Sequence, residues 1–247
     1  MVGALLLDSL ESESAWGSGI KADEMQRLHG DIPIALGTQE ATVVFALASS
    51  REGLALYRVL DATSKLVIDT RSALDPTRRI YRVQLDATPA ERIGLCDRKA
   101  LNEFFNDLCI ALAHEQIGGA SALFDSTVEY TKVRFQFGRP IGSFQALKHR
   151  CADLLLELEL AKSATYEAAS ILSGGEDGSE MASMAKAMAS DVYMSVARAA
   201  IQLRGGIGFT WEDDTHLWFK RAKSSEMLFG SPNYHRERMM KCVEDAA

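Results

Sequence analysis

The sequence predicts an α+β protein in which a small antiparallel β-domain is followed by an up-down bundle of long helices. Three of the five prolines, Pro33, Pro76 and Pro89, fall in the first part of the chain, where short β-rich runs alternate with turns. From residue 90 to residue 231 the only proline is Pro140, and apolar residues recur at spacings of three and four, as on a helix face. A β region followed by a helical region is typical of the α+β class.

The β region contains four runs rich in β-branched and aromatic residues. They cover residues 42–48, 54–60, 66–70 and 79–85. A polar segment separates the first two runs and predicts a hairpin, and Asp75-Pro76 predicts a turn before the last run. We expect the sheet to end near Pro89, which divides the chain into a β-domain (residues 1–89) and a helical domain (residues 90–247).

The helical region predicts three long helices followed by two short ones. The first begins near Leu101 and extends to about residue 133, and the second follows Ser143, whose hydroxyl is a suitable N-cap. The third covers residues 181–203, is rich in Ala and Met, and is ended by Gly205 and Gly206. The short helices are expected at residues 215–229 and 232–243. Long helices with small side chains pack as a bundle.

Composition excludes several classes of protein. The hydrophobic fraction of 47% and charged fraction of 25% are ordinary for a globular protein. The 27 basic and 34 acidic residues give a net charge of −7, which opposes nonspecific nucleic-acid binding. The four cysteines form no CxxC pair, as expected for reduced thiols in a cytoplasmic protein, and no metal-ligand spacing is present. No apolar run reaches the ~20 residues of a membrane span.

One candidate site is the segment Arg134-Phe-Gln-Phe-Gly-Arg-Pro140 between the first two long helices. A guanidinium at a helix end, beside backbone donors, suits a phosphate or pyrophosphate. Gly138 permits a positive φ or a close approach of the backbone to a ligand. An ordinary basic turn between two helices is the alternative that these residues leave open.

A second candidate is the segment Gln202-Leu-Arg-Gly-Gly-Ile-Gly-Phe209. It is similar to a glycine-rich nucleotide loop, but it follows a helix instead of a strand and lacks the Lys-Ser/Thr of a P-loop. A helix C-cap explains its glycines equally well. The nearby Trp211, His216 and Trp218 are more typical of packing than of a ligand site.

Together with Arg221-Ala-Lys223, these two segments resemble the acyl-CoA dehydrogenases. One loop of that family's C-terminal bundle carries Arg-x-x-Phe-Gly followed by Gln, and a later loop carries Gln-x-x-Gly-Gly-x-Gly, in the same order and at a similar separation. The resemblance is strong from about residue 90 to the C-terminus and fair across the strands, where Leu74-Asp-Pro-Thr-Arg-Arg79 is similar to the middle β-domain. It implies a reduced middle β-domain followed by the family's helical bundle.

The resemblance implies FAD as the cofactor. Arg134 holds the place of the family's Arg that reaches the flavin pyrophosphate of the neighbouring subunit. The glycines of the later loop would approach the adenosine half, because missing side chains let the backbone come near. The residues implied at the flavin are Arg134, Gln136, Phe137, Ile141, Phe144, Gln202, Gly205 and Gly206.

The chain departs from the family at the catalytic base. The family's Glu-Gly pair falls on Phe229 and Gly230, and a phenyl ring cannot abstract a proton. Some members place the Glu on the first long helix, which corresponds to a position near Leu108. Asp107 and Glu226 are the only acids near either place, and both are more simply structural or surface residues. We therefore assign no catalytic residue to this chain.

Two further departures concern the substrate. The family's Asp-x-x-Arg that holds the pantetheine falls on Asn106 and Cys109, and we expect the helical domain that normally precedes the family's β-domain to be absent. The resemblance then implies the non-catalytic subunit of a heterotetramer of the steroid-degrading type, with two copies of each chain. A homologous partner would carry the catalytic Glu, bind the acyl-CoA and form the 2-enoyl-CoA product.

Two alternatives remain open. The chain is a self-sufficient acyl-CoA dehydrogenase that uses Asp107 or Glu226 as a relocated base, or it is a scaffold homologue that has lost the flavin.

Overall fold

A computed structural model of the chain describes residues 3–7, 9–10, 16, 19–60, 66–175 and 177–245. The chain divides into two compact units, Met1–Phe104 and Phe105–Ala247. The first contains a seven-stranded sheet and the second a helical bundle, and each has its own cluster of buried apolar residues. The predicted α+β class is confirmed.

The sheet orders its strands β1-β4-β2-β3-β7-β5, with β6 paired to β7 and β4 also paired to β5. The predicted runs correspond to β4 to β7. The first three strands were not predicted. Strands β1 and β2 span only four and three residues, and bulges in β3 after Leu28 and Ile32 break its alternation. The strands are β1 (Gly3–Leu6), β2 (Ile20–Ala22), β3 (Arg27–Leu36), β4 (Val43–Ser50), β5 (Gly53–Val59), β6 (Val67–Arg71) and β7 (Ile80–Leu95).

The sheet differs from the expected antiparallel one in two respects. Strand β4 pairs in parallel with both β1 and β2, whereas the other pairings are antiparallel. The sheet also continues past Pro89, since β7 pairs with β3 up to that residue and then pairs with β5 from Ala90 onward. A residue without an N–H is tolerated at this change of partner, and β7 therefore extends to Leu95.

All five predicted helices are present. A short hairpin, β8 (Phe135–Gln136) and β9 (Arg139–Pro140), joins the first two helices, and 3-10 turns cover Ile141–Ser143 and Gly205–Phe209. The predicted N-cap is wrong: the Ser143 hydroxyl donates to the Pro140 carbonyl at 2.7 Å, and the second helix begins without a side-chain cap. The helices are α1 (Arg98–Val133), α2 (Gln145–Ser173), α3 (Ser179–Arg204), α4 (Thr215–Met227) and α5 (Pro232–Asp245).

Helix α3 is central to the bundle and packs against α2, α4 and α5. Its buried face carries small side chains such as Ala185 and Ala197, which let neighbouring helices approach closely. A similar close approach occurs at Gly119 of α1, where a Cβ atom would lie 2.7 Å from the Tyr193 hydroxyl of α3. Helix α3 passes through the bundle, and the candidate sites described below lie near its two ends.

Candidate functional site

The segment from Arg134 to Phe144, here called the Arg134 loop, is a hairpin followed by a 3-10 turn. Phe135 pairs with Pro140 and Gln136 with Arg139, so the hairpin closes on two residues. Both of them, Phe137 and Gly138, have positive φ (+55° and +78°), as a type I′ turn requires. The turn exposes 89% of Phe137, although an aromatic residue is rare in this conformation.

The base of the Arg134 loop is anchored to α1. The Ile141 amide donates to the Arg134 carbonyl at 2.8 Å, and the Ile141 side chain is buried. Gly142 leaves no room for a side chain, because its Cβ would lie 2.9 Å from the Thr131 hydroxyl. Phe144 is half-buried and carries the Arg139 guanidinium 4.0 Å above its ring. The loop is therefore built on a fixed apolar base with an exposed, basic outer face.

The segment from Gln202 to Phe209, here called the glycine loop, contains the end of α3. The Gly205 amide donates to the last carbonyls of α3, and Gly205 has φ +67° and ψ −144°. Gly205 and Gly206 are exposed, and a Cβ at either would meet no atom within 4 Å. Gly208 is buried, and its Cβ would lie 3.2 Å from the Ile201 carbonyl. The segment thus ends a helix and also leaves an open stretch of backbone.

Arg204 joins the glycine loop to α1 at one end of the bundle. Its Nη1 donates to the Thr127 hydroxyl at 2.8 Å and its Nη2 to the Ser126 hydroxyl at 3.1 Å, both on the part of α1 that leads to the Arg134 loop. Its Nε lies 3.2 Å from Asp213 Oδ2, beyond the glycine loop. The sequence assigned no role to Arg204, because these contacts depend on the packing of α1 against α3.

This end of the bundle exposes the Arg134 guanidinium and several large apolar side chains. The Arg134 side chain is exposed and forms no ion pair with any residue that the structure describes. Exposed apolar clusters on soluble proteins often mark interaction sites. The exposed apolar side chains in and beside the two loops are Val133, Phe135, Phe137, Ile207, Phe209 and Trp211.

The turn between α4 and α5 contains Phe229 and Gly230, where the resemblance leads us to expect the position of the catalytic base. Phe229 has φ +56° and Gly230 has φ +101°, and a Cβ at residue 230 would lie 2.4 Å from Tyr234 Cδ1. The Phe229 carbonyl accepts a hydrogen bond from His235 Nε2 at 2.7 Å and lies 3.9 Å from Cys109 Sγ. The turn is therefore tightly held in a left-handed conformation.

A buried lysine supports the same turn. Lys186 of α3 is fully buried, and its Nζ donates to the Ser190 hydroxyl at 2.9 Å and to the Ser225 and Gly230 carbonyls at 3.2 Å. Burial and then the charge of Lys186 lower the pKa of the buried His235 to about 3, so its ring is neutral. The only sequence signal for Lys186 was a charged residue on an apolar helix face.

The Asn106 and Cys109 side chains, at the place of the family's pantetheine clamp, are both buried. Asn106 accepts from Arg238 Nη2 at 2.7 Å and donates to the Ser179 hydroxyl at 3.0 Å. Arg238 is itself buried and also donates to the Ser183 hydroxyl at 2.7 Å. Asn106 is thus committed to a polar network inside the bundle.

Neither Asp107 nor Glu226 lies where a catalytic base would be expected. Asp107 lies on the exposed side of α1, whereas the Cys109 side chain faces the Phe229 turn. Glu226 is half-buried and pairs with Lys223 Nζ at 2.5 Å.

Across the described residues the structure contains no group of three or more His, Cys, Asp or Glu that could hold a metal ion. None of the described helices is long and apolar enough to span a bilayer.

The two candidate sites lie far apart on this chain. Lys186 marks the Phe229 turn and Arg204 marks the two loops, and both belong to the single helix α3. At ~1.5 Å per residue, the two residues are separated by about 27 Å along the helix.

Comparison with known proteins identifies the type of bundle. A sequence model described as "Acyl-CoA dehydrogenase, C-terminal domain" matches residues 99–243. The acyl-CoA dehydrogenase IpdE2 of Mycobacterium tuberculosis is 43% identical over 161 residues, which are 65% of this chain and 47% of that protein. The acyl-CoA dehydrogenase FadE34 of the same organism is 38% identical over 166 residues, 65% of this chain and 22% of that protein. The chain thus spans about half or less of the length of these relatives.

Solved structures share the fold over nearly the whole chain. The steroid ACAD Tcur3481-Tcur3483 has a TM-score of 0.85 and 27% identity, covering 99% of this chain and 67% of that one. The ChsE4-ChsE5 complex from M. tuberculosis has a TM-score of 0.85 and 20% identity, covering 98% and 66%. Butyryl-CoA dehydrogenase from Megasphaera elsdenii has a TM-score of 0.85 and 22% identity, covering 98% and 67%. The last two likenesses concern the fold alone.

Proposed function

Because the chain belongs to the acyl-CoA dehydrogenase family, we propose that it is the non-catalytic subunit of a hetero-oligomeric, FAD-dependent acyl-CoA dehydrogenase. A homologous partner subunit supplies the catalytic Glu and binds the acyl-CoA. This chain completes the partner's flavin site, and the assembly is a heterotetramer with two copies of each chain. The complex oxidises an acyl-CoA to the 2-enoyl-CoA.

The separation of the two ends of the bundle carries the proposal. The flavin-type loops and the Phe229 turn are about 27 Å apart along α3. Loops this far from the turn fit a flavin that is shared with a neighbouring subunit. That turn carries Phe229, which has no proton-accepting atom. The chain keeps the part that holds a cofactor and lacks the part that performs the chemistry.

The residues at the loop end fit the adenosine diphosphate half of FAD. When bound, the flavin supplies the acceptor for the hydride that leaves the substrate's β-carbon. The Arg134 guanidinium is exposed and forms no ion pair within the described residues, so it is available for the pyrophosphate. Gly205 and Gly206 leave space for the backbone to approach a ligand.

The remaining residues provide the walls of the same site. Phe137 and Phe144 form an apolar surface on which an adenosine packs, and the buried Ile141 supports that surface from below. The amides of Gln136 and Gln202 are exposed and offer both donors and acceptors to the ribose. These side chains bind and orient the cofactor, and none of them transfers a proton.

One structural relative supports a paired assembly and a bulky substrate. The relative that is 27% identical is named for a pair of chains, Tcur3481-Tcur3483, and is called a steroid ACAD. We therefore propose a steroid-derived acyl-CoA as the substrate class of the complex.

Co-expression with a homologous acyl-CoA dehydrogenase chain that carries the Glu tests the proposal. We expect the pair to co-purify with bound flavin, measured by absorbance and by acyl-CoA oxidation. Arg134→Met removes charge-assisted hydrogen bonds worth about 1.5–3 kcal/mol, so flavin affinity is expected to fall about 10- to 100-fold. Arg198→Met, at an exposed position of α3, is the matched control. A flavin-loaded homotetramer of this chain that oxidises acyl-CoA would falsify the proposal.

The two alternatives are tested in the same preparation. A self-sufficient enzyme loses turnover in Asp107→Asn or Glu226→Gln, whereas our proposal predicts no loss in either variant. A flavin-free scaffold leaves the preparation colourless both alone and with the partner.

A further inference from the structure

We propose that Arg204 is a positioning residue that holds the Arg134 loop and the glycine loop together as one flavin-binding surface. This inference rests on the proposed function and assigns a task to a residue outside the set expected to touch the flavin.

The first half of the evidence is the contact of Arg204 with α1. Its side chain is only 9% exposed, and its two terminal nitrogens reach the hydroxyls of Ser126 and Thr127. The Thr127 hydroxyl also donates to the Leu123 carbonyl at 2.7 Å, so its position on α1 is fixed. The guanidinium carbon lies 5.3 Å from the centre of the Tyr130 ring, one turn before Arg134.

The second half is the contact with the segment that follows the glycine loop. Arg204 Nε lies 3.2 Å from Asp213 Oδ2, and Asp213 Oδ1 accepts the Thr215 amide at 2.8 Å. Burial alone raises the pKa of Asp213, but the hydrogen bonds from Thr215 and the charge of Arg204 outweigh it and bring the pKa below its ordinary value. One guanidinium therefore joins α1, the end of α3 and the start of α4.

The glycine loop needs such a support. Gly205 and Gly206 have no side chains, and their added Cβ atoms would meet nothing within 4 Å. Glycine backbone has the largest conformational freedom, so an unsupported loop would lose that freedom when the flavin binds. A loop that is already held in place binds its ligand more tightly, because less ordering remains to be done.

Arginine suits this position better than lysine. The planar guanidinium presents donors in several fixed directions, and here its two terminal nitrogens donate to two hydroxyls while its charge pairs with the Asp213 carboxylate. An ammonium group at the same place is a point charge and reaches fewer of these partners.

The test compares Arg204→Met and Arg204→Lys with the natural chain. In the isolated full chain without flavin, we expect amide exchange of residues 205–213 and 134–144 to become at least about tenfold faster in Arg204→Met. We expect the exchange rates of Arg204→Lys to lie between those of Arg204→Met and those of the natural chain. The carboxyl of Asp213, followed by NMR, titrates at higher pH in Arg204→Met. Arg236→Met removes the ion pair with Asp191 and, as the control, leaves both loops unchanged.

The complex with the partner provides the second readout. Flavin affinity is expected to fall about tenfold in Arg204→Met although Arg134 is intact, which corresponds to about 1.4 kcal/mol. Asp213→Asn keeps Arg204 and is expected to loosen the glycine loop alone. It keeps the inference testable if Arg204→Met does not fold.

The outcomes separate this inference from the proposed function. Unchanged exchange in Arg204→Met, or faster exchange with unchanged flavin affinity, overturns the positioning role while Arg134→Met still releases flavin. If flavin affinity is also unchanged in Arg134→Met, the proposed function itself is overturned.

Discussion

Individual residues hold the turn at Phe229 in a conformation that a bulky side chain rarely adopts. Backbone strain of this kind costs about 1–3 kcal/mol and persists only where the surroundings require it. Here the Lys186 ammonium binds the Gly230 carbonyl, and the His235 ring binds the Phe229 carbonyl. Buried polar contacts therefore maintain the turn, although the side chain of Phe229 has no carboxylate.

Gly230 is expected to tolerate no side chain. Gly230→Ala places a Cβ 2.4 Å from Tyr234 and 2.9 Å from His235 at φ +101°, so we expect a loss of about 2–4 kcal/mol in the free energy of unfolding. The matched control is Gly118→Ala on the exposed side of α1, where a Cβ meets nothing within 4 Å. That change should stabilise by about 0.5–1 kcal/mol in the same urea titration. Equal effects would contradict the crowding at Gly230.

His235 is expected to make the bundle less stable in mild acid. Its pKa is about 3 in the folded chain because of burial and the charge of Lys186, against about 6.5 when unfolded. Between these values only the unfolded state takes up the proton, so stability falls as the pH drops below about 6.5. The loss from pH 7 to pH 5 is about 2 kcal/mol.

Urea unfolding at both pH values, with His235→Phe as the comparison, measures this contribution. Phenylalanine keeps a ring beside Phe105, whose centre lies 6.1 Å from the histidine ring, but it cannot take up a proton. In the His235→Phe variant, the free energy of unfolding should fall by about 2 kcal/mol less between pH 7 and pH 5 than in the natural chain. A pH dependence identical to that of the natural chain would refute the assignment.

Whole elements of the bundle were predicted more reliably than those of the sheet. The apolar spacing identified all five helices, because each helix buries one continuous face. Strand β3 escaped prediction since its bulges shift the alternation, and the parallel pairing of β4 with β1 depends on residues far apart in the chain. The Ser143 cap failed because that hydroxyl binds the Pro140 carbonyl instead.

The site shows the same division between local and tertiary signals. Arg134 and the glycine loop were found from their motifs, and their assignment to the flavin stays a prediction. The contacts of Arg204 and Lys186 could not be found from the sequence, because both side chains reach partners on other helices or in the α4–α5 turn. The only sequence signal for these two residues was a charged side chain on an otherwise apolar helix face.

The close packing of α3 is expected to reject larger side chains. Ala185 is fully buried in the bundle core, so Ala185→Leu should lower the free energy of unfolding by about 1–3 kcal/mol through overpacking. Arg198→Leu makes a similar side chain at an exposed position of the same helix and should change stability by less than about 0.5 kcal/mol. Thermal unfolding of both variants checks the difference. A loss confined to Arg198→Leu would show that the core face is misassigned.

At the scale of the whole molecule, about 27 Å of helix separates the loops proposed to bind the flavin from the Phe229 turn. Phe229→Glu restores an acid at that place but leaves the flavin-type loops untouched. We therefore expect kcat of the complex with the partner to stay within about twofold of the natural value. Acyl-CoA oxidation by the Phe229→Glu chain without its partner would show that one chain contains a complete active site.

The exposed loop end of the bundle also affects how the assembly can be observed. If each flavin is held by loops of one chain and by the body of another, neither chain retains the pigment alone. Flavin that stays with the protein through a desalting column then counts joined pairs and not folded chains. Diluting the complex below the concentration at which its subunits separate would release the flavin into the low-molecular-weight fraction.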